Sequence, residues 1–312
     1  MPHLNASGPE RGHSRSRDRQ ESGVDRRDGG EHLVDLVIIG HVGFATDVTE
    51  RKTVTDIGGS GFAAAFAASA LVDCVGLVAQ VGEDFNLDVF QLLPMNIEGI
   101  VVLSGASAKF SIDQSRNGSV LFSSDLGVAA DPCFHLFPAS YSQARHVHLG
   151  TAPPSQQLAW LEFLRDQGNR AQISVDMFEP FVETEPDTCR TICDRADRIF
   201  LNEIEYRALY SRQPHPSVPI ILKHGAAGAE LLSGDARHAV PAPSVEEKDS
   251  VGAGEILAGA FLALSVQGLT DQQSLSYAVA IASQSVTEFG VVGPAVSGEL
   301  QRVREKLKSK GE

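Results

Sequence analysis

The residues best equipped for chemistry run from Asp249 to Glu255, DSVGAGE, immediately ahead of the apolar helical pattern ILAGAFLAL. Gly252 and Gly254 flank Ala253, and small residues let backbone N–H groups approach an anion at a helix N-terminus, where the helix dipole also favours negative charge. Glu255 places a carboxylate on the edge of the same turn. Phosphoryl transfer to an alcohol asks little more of a protein: neutralised charge around the phosphoryl group, an aligned acceptor, and a group to take the acceptor's proton. This segment can supply the first and the last. The competing glycine-rich signatures, GxxxxGK[ST] and a GxGxxG turn after a strand, do not occur. Taken alone, close packing of a small-residue helix explains the same GAG, and simple N-capping explains Asp249.

Other candidates carry less. His146 and His148 are two apart, as metal ligands on one strand face would be, but no third ligand motif lies nearby, so they read as structural. Cys189 and Cys193 are spaced i, i+4 on an expected helix and read as core. Four scattered cysteines without a CxxC pair exclude a disulfide scaffold and suggest a reduced, cytoplasmic protein. The formal charge is -14, and no basic stripe is visible, so nucleic acid is excluded as a partner. The apolar runs fall short of the roughly 18 residues of a membrane span.

The elements that must position the loop follow a βα rhythm. Val34–Gly40 (VDLVIIG) is a β-branched run of the kind buried on both faces of a sheet. A small-residue helix follows Gly58-Gly59, and Val75–Val78 is the next strand. From His146 the pattern predicts strands at 146–149, 172–175, 198–201 and 218–222, and helices at 154–167, 187–194 and 203–210. A hairpin at 229–240 and helices at 253–267 and 271–288 complete the series. Such alternation predicts a mainly parallel sheet covered by helices on both faces. Short alternating pieces between 100 and 122, broken by Asn117-Gly118, predict a small antiparallel flap. Residues 1–32 lack an apolar core pattern and are expected to be a disordered tail; 306–312 are expected to be a polar C-terminal tail.

DSVGAGE resembles the C-terminal signature of the ribokinase-like (PfkB) carbohydrate and nucleoside kinases, D-T-x-G-A-G-D. Gly58-Gly59 and VGEDF at 81–85 are similar to the family's N-terminal signature, NEIE at 202–205 to its N-x-x-E element, and ILKHG at 221–225 with Gly228-Ala229 to its strand and loop beside ATP. The motifs fall in the family's order and span residues 33 to 295. The resemblance implies a ribokinase-like α/β domain over 33–305, with a β lid drawn mainly from 43–57 and 100–122, and the acceptor held between sheet and lid.

It also implies roles. Gly252, Ala253 and Gly254 would form the anion hole, and Glu255 would be the general base, at a position where the family has Asp. Asp249 would position the loop. Asn202, Lys223 and Gly225 would lie along the nucleotide, with Glu205 organising Mg²⁺ through water. Asp47, Gly58, Gly59 and Glu255 would face the acceptor. The sugar-binding members carry an Asn shortly after the double glycine; here the run is GGSGFA, which disfavours ribose itself. The implied activity is ATP- and Mg²⁺-dependent phosphorylation of a hydroxyl on a sugar, nucleoside or related polyol. The alternative is a weak or silent member that binds nucleotide or polyol as a regulator or scaffold. An exposed lid edge could also pair with a second copy to form a homodimer.

Overall fold

The computed structural model describes residues 34–48, 52–116, 119–134, 137–211 and 214–311. The N-terminal residues expected to form a tail, and the Asn117-Gly118 turn, lie outside the described residues.

Nine strands form one large sheet, in the order β13-β12-β11-β10-β9-β8-β1-β4-β5. They are β1 (Leu36–Ile39), β4 (Val75–Gly82), β5 (Asn96–Leu103), β8 (His146–Leu149), β9 (Gln172–Asp176), β10 (Arg198–Asn202), β11 (Ile220–Lys223), β12 (Ala229–Ser233) and β13 (Ala236–Val240). Pairing is parallel from β5 through β11 and antiparallel at β11, β12 and β13. Every residue of β1 and β8 is buried, as continuous apolar runs require when helices cover both faces.

One face is covered by α1 (Ser60–Leu71), α6 (Ala253–Val266), α7 (Asp271–Ser285) and α8 (Pro294–Gly311), whose apolar residues merge in one core. The other face carries α2 (Pro154–Asp166), α3 (Glu179–Thr184), α4 (Pro186–Arg195) and α5 (Glu203–Tyr210) over a second core. Cys189 and Cys193 are buried in that second core. Helices α1 and α6 are apolar all round and therefore sit inside the protein. Their backbones meet: a Cβ placed on Gly259 of α6 would lie 2.0 Å from the carbonyl oxygen of Ala64 in α1.

A separate four-stranded sheet, in the order β3-β2-β6-β7, forms the lid from β2 (Gly43–Val48), β3 (Thr53–Gly58), β6 (Ala108–Arg116) and β7 (Ser119–Asp125). Its root is pinned by the VGEDF segment. Ser107 Oγ donates to Asp84 Oδ1 at 2.6 Å and accepts from the Gly82 amide at 2.8 Å.

Two expected boundaries differ. Residues 100–103 end the edge strand β5 of the large sheet and do not belong to the lid. Residues 306–311 continue helix α8, so there is no polar tail there. Helix α3 and α8 were absent from the sequence pattern. Both carry Pro in the first turn, as do α2 and α4, a position where the missing N–H costs no helical bond.

Candidate active site

Two cavities open at the carboxyl ends of the central strands, where ligands bind in open parallel α/β sheets. The first, about 370 Å³, lies between sheet and lid. Gly58, Gly59, Asn202, Glu205, Lys223, Gly252 and Glu255 line it, with an apolar wall of Phe110, Ile112, Phe122, Met177, Phe178 and Phe181. The second, about 480 Å³, is lined by Asn202, Lys223, Gly225, Gly228, Ala253 and Gly254, with Ala242, Val245 and Val279 among its apolar residues. Asn202 and Lys223 border both, and the start of α6 stands between them.

The loop ahead of α6 is held by its own acid. Asp249 is buried; its Oδ1 accepts from the Val251 amide at 3.0 Å and its Oδ2 from the Gly290 amide at 3.3 Å. Asp249 therefore does more than cap, since it ties two loops together. Gly252 sits in the left-handed region, φ 79°, which only glycine adopts without strain. The turn this allows begins α6 at Ala253, whose amide donates to the Ser250 carbonyl at 3.3 Å, and brings the first turn of the helix to the junction of the two cavities. Glu255 follows in that turn, and its Oε1 accepts from Thr151 Oγ1 at 3.5 Å across the first cavity.

Glu205 is buried in a capping box at the start of α5. Its two oxygens accept from the backbone N–H and the Nδ2 of Asn202, at 2.7 and 2.9 Å, while Asn202 Oδ1 accepts from the Glu205 amide. Burial pushes the Glu205 carboxyl up to about 7, against the pull of Lys223. Lys223 Nζ donates to Asp176 Oδ1 at 2.6 Å, and Asp176 is fully buried. The carboxylates of Asp176, Glu205 and Glu255 hold Lys223 protonated despite its burial. A Cβ on Gly254 would lie 3.2 Å from that ammonium, so the small residue keeps Lys223 against the loop. Three carboxylates face one ammonium, an excess of negative charge that a hydrated divalent cation complements.

The sequence profile of the pfkB family carbohydrate kinases matches residues 31–297. The chain belongs to that family. A cytidine kinase of Thermococcus kodakarensis is 27% identical over 246 residues, covering 74% of this chain and 88% of its own. A solved nucleoside kinase of Burkholderia thailandensis, in complex with inosine, superposes with a TM-score of 0.74 at 17% identity, covering 87% of this chain and 98% of that one. A putative ribokinase II of E. coli, in complex with ATP and Mg²⁺, gives a TM-score of 0.71 at 18% identity, covering 86% and 100%. The α/β fold with its second small sheet is ribokinase-like, and this pfkB-family protein is a small-molecule kinase. Kinases of the family use ATP and act on small molecules.

Of the residues singled out in this pfkB-family kinase, ten border one or both cavities: Gly58, Gly59, Asn202, Glu205, Lys223, Gly225, Gly252, Ala253, Gly254 and Glu255. Asp249 lies behind the loop. Asp47 is not among the lining residues; it is buried on β2, and burial with the nearby Asp249 and Asp56 charges pushes its carboxyl up to about 6. His146 and His148 are buried in β8, where desolvation holds both imidazoles down at about 3, and His148 Nδ1 meets Ser174 Oγ at 2.9 Å. Among the described residues no group of three or more His, Cys, Asp or Glu is arranged to hold a metal ion, and no helix is long and apolar enough to cross a membrane.

Several lining residues have no local signature. Thr151 follows β8, the aromatic wall comes from lid and α3 together, and His41 follows β1. Gln156 uses its Nε2 to donate to the Ala129 and Ala130 carbonyls, so its Oε1 accepts and His41 Nε2 carries the proton of their 3.1 Å bond. The one available hint was position: each of Thr151, Asp176, Asn202 and Lys223 stands at or just beyond the end of a predicted strand.

Proposed function

We propose that this kinase transfers the γ-phosphoryl group of ATP, with Mg²⁺, to a hydroxyl of a nucleoside, with Glu255 as general base. The observation that carries the reading is the polarity of the first cavity. Its inner end holds Glu255, Lys223 and the α6 N-terminus beside the second cavity, and its outer end is aromatic. Phe122 of the lid meets Phe178 of the body edge-to-face with centroids 4.9 Å apart, and Phe178 meets Phe181 at 5.5 Å. A free sugar offers that wall only a small C–H patch bordered by hydroxyls, whereas a nucleobase offers a flat π face; stacking on an aromatic side chain contributes about 1–3 kcal/mol per base. The names of the cytidine kinase and the inosine-bound nucleoside kinase agree with this choice.

In this reading ATP lies in the second cavity, its phosphates toward Gly252, Ala253 and Gly254. Asn202, Lys223 and Gly225 line its path, and Asp249 keeps the loop in register. Mg²⁺ supplies charge neutralisation on the phosphates. Glu205, whose oxygens are both engaged by Asn202, reaches it through water. The nucleoside lies against Gly58 and Gly59 with its reacting hydroxyl at Glu255. Asp47 lies outside the lining, near enough to Asp249 for their charges to interact. The lid's free edges, β3 and β7, are where a second copy would pair.

The test is a panel of nucleosides and free sugars incubated with ATP and Mg²⁺, with ADP release measured. Nucleosides should turn over and sugars should not. Nucleotide binding with no acceptor phosphorylated would favour the regulatory or scaffold reading instead.

A further inference from the structure

We infer that Asp176 is a positioning residue for phosphoryl transfer: it holds the Lys223 ammonium at the junction of the two cavities, where Lys223 neutralises charge on the phosphoryl group in transit. The inference rests on the kinase reading of the same junction.

Lys223 borders both cavities, so its ammonium stands where the phosphoryl group must cross from nucleotide to acceptor. Its neighbour on one side is Gly254 of the anion loop. Three carboxylates compete for it, those of Asp176, Glu205 and Glu255. The contact made is with Asp176, at 2.6 Å, and Asp176 has no exposed surface while the Lys223 side chain retains 16%. Asp176 Oδ2 has no hydrogen-bond partner among the described residues. A carboxylate desolvated this far returns little stability, because burial costs what the ion pair gains. Its position suggests another use.

A lysine ammonium is a point charge on a flexible four-carbon stem. Without Asp176 it can swing to Glu255, and a base paired with an ammonium is a poorer proton acceptor. Held by Asp176, it stays beside the loop and leaves Glu255 to the acceptor hydroxyl. In the step itself, the acceptor O–H gives its proton to Glu255 and its oxygen forms a bond to the γ-phosphorus. The bond from that phosphorus to the β–γ bridging oxygen breaks, and its electron pair leaves with ADP. Lys223 forms no bond; it stabilises the charge spread over the phosphoryl oxygens while the group is in transit.

The experiment compares Asp176→Asn, Lys223→Met and the double variant with the wild-type chain. The readouts are kcat, KM for ATP and for nucleoside, the thermal midpoint, and calorimetric affinity for ADP, Mg²⁺ and aluminium fluoride with nucleoside, which mimics the phosphoryl group in transit. Each single variant should lose about 10²-fold or more in kcat, with KM for ATP nearly unchanged. Affinity for the fluoride complex should fall in proportion to kcat while ATP affinity holds. The double variant should be no slower than the worse single one. Losses that multiply in the double variant, a loss confined to the KM for ATP, or an unchanged kcat in Asp176→Asn would each overturn the inference. Should Asp176→Asn fail to fold because Lys223 is left unpaired, the double variant decides: a kcat equal to that of Lys223→Met supports the inference, and wild-type kcat overturns it. A wild-type chain that phosphorylates no acceptor removes the proposed function and this inference together, whereas the outcomes above remove the inference alone.

Discussion

Glu255 is the sharpest place to test how this site works, because the family's base is one methylene shorter. In the structure the longer side chain spans the first cavity to within 3.5 Å of Thr151 Oγ1. Replacing Glu255 by Asp withdraws the carboxylate by about 1.5 Å, one C–C bond, and opens the Thr151 contact to as much as about 5 Å. A misplacement of about 1 Å can cost on the order of 10²-fold in rate. Removing the base altogether costs roughly 10²–10⁴-fold. If the pocket is built around glutamate, Glu255→Asp should therefore lose about 10²-fold in kcat, and Glu255→Gln as much or more, with ATP affinity preserved in both. Steady-state kinetics with saturating ATP and Mg²⁺ separates these terms. A Glu255→Asp variant faster than the wild type would refute the reasoning, because it would show a pocket still shaped for the shorter acid.

In the proposed function Glu205 has to be ionised to attract the cation through water, and burial holds its carboxyl up at about 7, above the ordinary 4.5. Its charge is therefore lost as pH falls through 7, so kcat/KM should rise with pH and level off above about 8; a profile flat down to pH 5.5 would contradict this. The groups facing it are Lys223, Asp176, Glu255 and Asn202, and Lys223 stays charged throughout. Phe178→Ala removes the centre of the aromatic wall, and a loss of about 1–3 kcal/mol of stacking should raise the nucleoside KM by roughly 10-fold or more with KM for ATP unchanged. Equal increases for both substrates would place the base elsewhere. Gly259→Ala forces a methyl group to within 2.0 Å of the Ala64 carbonyl oxygen. Overpacking of this kind costs about 1–3 kcal/mol, so the thermal midpoint should fall by several degrees; an unchanged midpoint would show that α1 and α6 can separate freely.

Much of this arrangement was legible because the site's glycines and carboxylates are local in sequence. DSVGAGE holds the proposed anion loop, its tether and the proposed base within seven residues. Asn202 and Glu205 are three apart and satisfy each other in one capping box. The strands were legible because burial on both faces leaves continuous apolar runs, as in LVII at 36–39. The helix α8 was not, because its composition is mostly polar and its few apolar residues pack chiefly on α1 and α7. Asp47, expected at the acceptor by resemblance, is buried on β2 and is not among the residues that line the first cavity.

What escaped the sequence is what depends on strand order. Asp176 and Lys223 are 47 residues apart, and β9 and β11 are separated in the sheet by β10. The register sets them at different levels: Phe200 of β10 pairs with Asp176, and Asn202, two residues on, pairs with Lys223, so the long lysine stem has to span the step. The three ends form a short slope above the sheet, with Asn202 in the middle turning its side chain into the cap of α5. The aromatic wall obeys the same logic, since Phe122 stands on β7 of the lid sheet and Phe178 on the connection from β9 of the large sheet to α3, and they meet across the cavity. Motifs fix the groups that line the junction of the two cavities. The order of strands decides which buried acid stands beside the lysine and which ring closes over the acceptor, so selectivity and charge placement can change in this fold while the DSVGAGE loop stays as it is.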